Sequence, residues 1–291
     1  MKRNESTVLI FKAAVLALLL LAGPAGPAIA AERDLRGGLG LQANPLGLRA
    51  EVEASWKWSI SRSTHPLVKG AHVAIGISDQ LSPASNQTQL WLQVSPLAIL
   101  DIRAGATGIA YFGTFGNLVG FRGYDSDFRD DTRKARSDEA VSGVGRRFHL
   151  SPALKFRAGR LSMRASADFE SWKVKDAPFT VFYEPNRATL LNSSGDSLVS
   201  GSSVVLLDVS RNRAEKLRVG VLHDYLKVWD APRNTRQRLG PLTLIKLGER
   251  RFGGRDPMVS LAVLKYLEAP NRTGIGGFVS MSFSLLGNKG R

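Results

Sequence analysis

His149 and Ser151 flank Leu150, so along an extended chain an imidazole and a hydroxyl share one face. A histidine can act as the base that activates a hydroxyl nucleophile, which makes this pair the catalytic candidates of the chain. No third member of such a set is identifiable, and a His two residues from a Ser is common by chance. His65, His72 and His223 are scattered and suggest no metal site. Asp125 and Asp127 begin like a calcium loop, but the Gly expected at the sixth position and the Glu expected at the twelfth are missing. Gly37-Gly38-Leu39-Gly40 and Gly274-Ile275-Gly276-Gly277 follow no βα pattern, so neither is a phosphate loop. No cofactor and no metal are expected.

The elements that must hold such residues are strands. From Leu48 to Ile60 the residues Leu48, Ala50, Val52, Ala54, Trp56, Trp58 and Ile60 share one face, and Arg49, Glu51, Glu53, Ser55, Lys57 and Ser59 share the other. Period two over this length is a strand and not an amphipathic helix. Soluble strands run about 5–6 residues, whereas a tilted membrane-spanning strand needs roughly 9–11. Phe148 to Phe156 and Leu161 to Ser171 repeat the pattern around Ala158-Gly159-Arg160 and read as a hairpin. Ala71 to Ser78, Leu90 to Phe112, Val199 to Val209, Lys216 to Val228, Leu239 to Gly248, Met258 to Leu267 and Gly274 to Leu285 are further strand candidates. Pro96 marks a bulge or a turn. Both faces are apolar at Val204 to Leu207 and Val259 to Val263, which fits a soluble sandwich or a barrel with a partly packed interior. Ten strands are expected. Twelve is the alternative, if the Thr88 to Phe121 region and the run Phe179 to Tyr183 hold more.

If the sheet closes, its inward set is Arg49, Glu51, Glu53, Lys57, Lys155, Arg157, Arg164, Asp168, Glu170 and Arg218. Arg and Lys lining a narrow path attract anions. The same residues could instead pair and plug the lumen, since barrels of about 8 strands leave room mainly for side chains and open channels are usual at 16–18.

The start of the chain bears on its compartment. Lys2, Arg3 and Lys12 precede the apolar run Ala13 to Ala22, and Ala28-Ile29-Ala30 ends a small-residue stretch. These are the parts of a secretory signal peptide, cleaved after residue 30. The apolar run falls short of the roughly 20 residues a spanning helix needs. Residues 31–46 read as a polar periplasmic lead-in, 47–286 as one β domain and 287–291 as a C-terminal tail. The chain contains no Cys, which excludes disulfide staples, Cys-ligated metals and a Cys-anchored lipoprotein. Net charge is +15; three basic residues and one acidic residue lie in 1–30, leaving +13 for the remainder. That excess points to lipid phosphates or anionic solutes. Export, and the lack of any zinc-finger, RRM or helix-turn-helix pattern, argue against nucleic acid. The loop Arg122 to Glu139 mixes both charge signs; it fits a solvated loop, or contact with lipopolysaccharide phosphates and divalent cations.

With its export signal, alternating strands, long charged loop and closing Phe283-Ser284-Leu285, the chain resembles outer-membrane β-barrel proteins of Gram-negative bacteria. Asn44-Pro45-Leu46-Gly47 resembles a feature of proteobacterial barrels. The resemblance implies an all-β, closed antiparallel transmembrane barrel in the outer membrane, with outer-membrane lipids, lipopolysaccharide and the barrel-insertion machinery as partners. Members usually end the last strand on a C-terminal aromatic that this machinery reads. Here Leu286 to Arg291 extend past it, leaving Phe283 and Leu285 as candidates. The implied function is a small porin-like channel or a structural envelope protein, with a polar, mildly anion-favouring lumen and small solutes as possible cargo. A lipid-modifying enzyme resembling lipid A deacylases is the alternative that would use His149 and Ser151. A soluble periplasmic β-sandwich is the third.

Overall fold

The computed structural model describes residues 31–114, 118–175, 177–210, 216–231, 233–247, 255–270 and 272–287. The segment expected to be an export signal (1–30) and the tail beyond Gly287 lie outside the described residues. In chain order the strands are β1 (Glu32–Ala43), β2 (Gly47–Ser59), β3 (His72–Leu81), β4 (Ser85–Leu97), β5 (Leu100–Tyr111), β6 (Gly120–Phe121), β7 (Gly143–Ala158), β8 (Leu161–Lys175), β9 (Val181–Glu184), β10 (Thr189–Asn192), β11 (Asp196–Asp208), β12 (Lys216–Val228), β13 (Thr235–Lys246), β14 (Arg255–Glu268) and β15 (Ile275–Gly287). A short helix, α1 (Asp130–Ala135), lies between β6 and β7.

Twelve of these strands form one closed antiparallel barrel, ordered β1-β15-β14-β13-β12-β11-β8-β7-β5-β4-β3-β2. Closure pairs every strand on both edges and removes the sandwich alternative: there are not two sheets facing each other, but one sheet that meets itself where β1 pairs β15. The count is twelve rather than ten for two reasons. Leu90 to Phe112 is a hairpin, β4–β5, turning at Ala98-Ile99 beside a register shift between Val94 and Leu97, where Pro96 cannot donate to the ladder. The second reason is β1. The stretch expected to be a periplasmic lead-in pairs β2 on one edge and β15 on the other, so it is the strand that closes the ring. Asn44-Pro45-Leu46 is thus a turn between strands.

The β7–β8 hairpin shows how local sequence sets register. Its two-residue link is Gly159-Arg160, with Gly159 at φ +55, a conformation that a Cβ disfavours. From there Phe156 pairs Met163, and Leu150 pairs Phe169. The start of β1, the end of β15 and this tight link share one end of the barrel, the terminus end. The two longest connections, between β5 and β7 and between β8 and β11, emerge at the other.

Those two connections do not project as free loops. They hold β6, β9 and β10, which form a three-stranded antiparallel sheet, and α1. Phe179 to Tyr183 therefore adds no barrel strand; its β9 portion belongs to this second sheet. One side of that sheet packs on the inner wall: Phe182 and Leu191 cluster with Ile109 and Tyr111 of β5, Trp172 and Val174 of β8, Leu198 of β11, and Leu226 and Val228 of β12. The other side packs on its own loop, with Val181, Tyr183 and Leu190 against Val119, Phe121 and Phe128. Burial on both sides makes it a cap seated in the mouth of the barrel.

Candidate functional site

The two faces of the barrel wall differ in kind. Leu48, Val52 and Phe169, which a soluble fold would have to cover, are 50, 46 and 45 % exposed. Leu39, Leu41, Leu90, Leu92, Phe148, Leu150, Val221, Leu261 and Val279 are exposed as well, spread around the ring. On the alternate positions, charged side chains pair with one another. Glu53 of β2 accepts from Arg103 of β5 at 3.2 Å, a contact between strands that are not neighbours, so it crosses the interior. Only a bilayer rewards a closed sheet that is apolar outside and charged inside. The chain is a membrane-spanning β-barrel.

No protein-family model and no curated protein sequence matches the chain. Among solved structures it is similar to the β domain of the Bordetella autotransporter BrkA, at 12 % identity and TM-score 0.45, covering 88 % of this chain and 98 % of that one. It is also similar to the translocator domain of the autotransporter NalP from Neisseria meningitidis, at 10 % identity and TM-score 0.39 over 96 and 97 % of the two chains. A third similar structure is the NanC porin, at 8 % identity and TM-score 0.40 over 86 and 98 %.

The middle of the barrel carries a stack. Trp91 lies against Gly76 on the neighbouring strand, where a Cβ would come within 2.3 Å of the indole. Arg103 lies over the ring, 3.8 Å from its centroid, and reaches Glu53. Glu51 lies in the field of Arg49, Glu53 and Arg103. Across the lumen the wall changes character. Leu206, Leu222, Leu242, Ala262 and Leu264 form a buried cluster with Val204, Leu244 and Phe278. This is where the sequence is apolar on both faces, and the inner set packs together.

The end beneath the cap is a dense polar network. Glu170 accepts two hydrogen bonds from Arg187, which enters from the loop between β9 and β10, and one at 2.7 Å from Trp172 Nε1. The Arg187 carbonyl accepts from Arg236 at 2.6 Å, and Arg238 and Arg236 both face Asp224, at 2.9 and 3.6 Å. Glu184 of β9 accepts from the Tyr111 phenol and from Asn186, whose amide also meets Gln80 and Ser85 of the β3–β4 hairpin at 3.0 and 3.2 Å. Asn234 binds Thr189 and the Leu190 carbonyl at 2.9 and 3.1 Å. Arg272, from the β14–β15 link, bonds Asp130 of α1 at 3.0 Å and Asn44 of the β1–β2 turn at 3.3 Å. Burial pushes the Glu184 carboxyl above its usual range, and burial raises the Tyr183 phenol too. Burial would also raise Asp130, but hydrogen bonds and charge from Arg133 and Arg272 hold it below the usual range.

Near the terminus end the charges are wetter. Lys57 pairs Glu32 at 3.2 Å, and Lys155 pairs Asp101 at 2.8 Å, with both lysines 43 % exposed. Arg218 stands 3.9 Å from Asp208. Arg164, on the inner face opposite Lys155, is exposed, as is Arg157; Arg49, also exposed, stands at the other end beside the β1–β2 turn. Asp168 accepts a hydrogen bond from Ser151.

His149 and Ser151 are not assembled as a base and nucleophile. Among the described residues no hydrogen bond joins them: Ser151 donates to Asp168, and His149 Nε2 lies 3.1 Å from Gln89 Nε2. The imidazole rests on Gly105, where a Cβ would come within 2.5 Å of it. Both side chains lie on the inner face, opposite to the exposed Phe148 and Leu150, so the wall separates them from lipid. The sequence reading missed Arg103, Asp224, Arg236 and Arg238, although strand alternation carries the signal for each. It also missed Arg187 and Asn186, which sit in a segment that reads as an external loop. Among the described residues no group of acidic and histidine side chains could hold a metal. An open hollow of about 750 Å³ in the cap is lined by Phe121, Arg122, Asp127, Thr132, Arg136 and Glu139.

Proposed function

We propose that this protein is a capped barrel that closes its own lumen at the loop end and acts as a structural element of the envelope. One observation carries the reading. The cap is bonded to connections and strands spread around the ring: the β3–β4 hairpin, β5, β8, the β12–β13 link and the β14–β15 link. A loop that merely narrowed a pore would touch one side of it. Planar-bilayer recording tests this. The full barrel should give no steady conductance, and a variant with residues 178–193 replaced by a short Gly-Ser linker should give discrete steps. Steady steps from the intact protein would overturn the proposal.

A second reading is a small porin-like channel for anionic solutes, opened by displacement of the cap. It is favoured by the solvated basic set at the terminus end, where Lys155, Arg157 and Arg164 lie together on the inner face. In that case the intact protein switches between closed and anion-selective open states under voltage. A lipid A deacylase-like activity has no such support, because its two candidate residues face away from lipid.

A further inference from the structure

The outer wall has one place where the register sets like charges side by side. Arg146 of β7 pairs Lys173 of β8, both on the outward face and both exposed. Lys175 stands one step further up β8, also exposed and opposite Val144. Directly opposed like charges destabilise a strand pair. Among the described residues the neighbouring register positions supply no carboxylate: Gly108 of β5 faces Arg146 from the other side, and below the pair Ser171 faces Phe148 and Ser197.

Height locates the pair. Beneath it lie Phe148, then Leu150 and Phe169, then Phe156 with Met163, and at the hairpin Leu161, all exposed on the outer face. With about 3.3 Å per residue and a tilt of roughly 40°, Lys173 stands about 30 Å above Leu161, where an apolar band of about 25 Å has ended. The cations therefore lie at headgroup level, on the side of the membrane that the cap faces.

We propose that Arg146 and Lys173 hold a phosphate of a membrane lipid in the loop-side leaflet. The phosphate lies between the two opposed cations and accepts from both, with the Ser171 and Ser197 hydroxyls beneath, while its acyl chains run down over Phe148, Leu150 and Phe169. The site rests on the membrane-spanning reading and not on whether the lumen is sealed. It converts a repulsive strand pair into a bridged one.

The test uses the full barrel folded in zwitterionic micelles, with bisphosphorylated lipid A, its dephosphorylated form, or inorganic phosphate added. Bound lipid per barrel is read by native mass spectrometry, and the midpoint of heat unfolding by gel mobility. Bisphosphorylated lipid should bind and raise the midpoint, and the other two additives should not. Arg146→Gln with Lys173→Gln should weaken binding by roughly fivefold per cation, about 25-fold in all, and Arg146→Lys should restore most of its share. Equal lipid binding by the double variant would overturn the proposal, as would an equal midpoint shift from inorganic phosphate. The double variant's gel mobility without lipid shows that it folds. A wild-type chain that folds in no micelle would overturn the membrane-spanning reading along with the site.

Discussion

The cap end and the terminus end of the lumen use the same chemistry under different burial. At the cap end Glu170 is 1 % exposed and held by Arg187, and Asp224 is shared by Arg236 and Arg238. At the terminus end Lys57 with Glu32 and Lys155 with Asp101 keep water on at least one partner. A buried pair is costly to break, because the surviving charge is stranded, whereas an exposed pair is nearly free to break. The first kind locks the cap. The second leaves charge available to whatever enters from that end.

The sharpest way to break the comparison is Arg187→Met. It strands Glu170 and frees the cap from β8, and should cost about 3–5 kcal/mol in urea unfolding in micelles. The same change should expose the Arg187 segment to protease while the barrel stays folded. A loss of less than about 1 kcal/mol would mean that water reaches Glu170 and that the two ends do not differ. Asn234→Ala comes next. It removes two bonds to the cap, those to Thr189 and the Leu190 carbonyl, and should cost about 1–3 kcal/mol. Lys57→Ala should cost no more than about 1 kcal/mol and should vanish in high salt. A cost for Lys57 that matched Arg187 would erase the distinction.

The sequence made the wall legible wherever a strand meets lipid on one side and a polar lumen on the other. Leu48 to Ile60 and Leu161 to Ser171 alternate for that reason, and their registers follow. It was illegible where that contrast fails. β1 carries Gly37, Gly38 and Gly40, because Phe283 lies where a Gly37 side chain would be and Arg49 lies against Gly40. Few side chains remain to show the alternation, and the segment reads as a polar lead-in. The β4–β5 turn at Ala98-Ile99 has no turn residues, so two strands read as one. From β11 to β15 the inner positions Leu206, Leu222, Leu242 and Leu264 pack on each other and mimic a soluble core. The cap was hidden for another reason. Phe182, Arg187 and Asn186 take their meaning from partners far away in sequence, which no local pattern reveals. Of the catalytic candidates, spacing could suggest that His149 and Ser151 share a face; it could not show that Asp168 and Gln89 occupy them.

The finest probe of the comparison is acid, because two carboxylates of the cap respond to it in opposite directions. Asp127, at the exposed rim, is lowered from 3.8 to about 2 by hydrogen bonds from the Arg129 side chain and backbone, with a smaller one from Thr132. Its contribution is fully present above the unfolded value and is lost as pH falls from about 4 towards 2, and exposure keeps it small. Glu184, in the buried layer, is raised by desolvation despite its bonds from Tyr111 and Asn186. The folded cap therefore prefers it neutral, and acidification through its folded pKa favours the closed state. Hydrogen exchange across residues 118–142 and 181–192 should show protection of the buried layer rising as pH falls from neutral, while the rim loosens only below about 4. Glu184→Gln should give the buried layer its acid-level protection already at neutral pH, and Asp127→Asn should flatten the rim's response between 4 and 2. If both variants track the wild type at every pH, burial does not divide the cap into a dry layer and a wet rim, and the seal at the loop end would have to rest on the apolar packing of Phe182 and Leu191 alone.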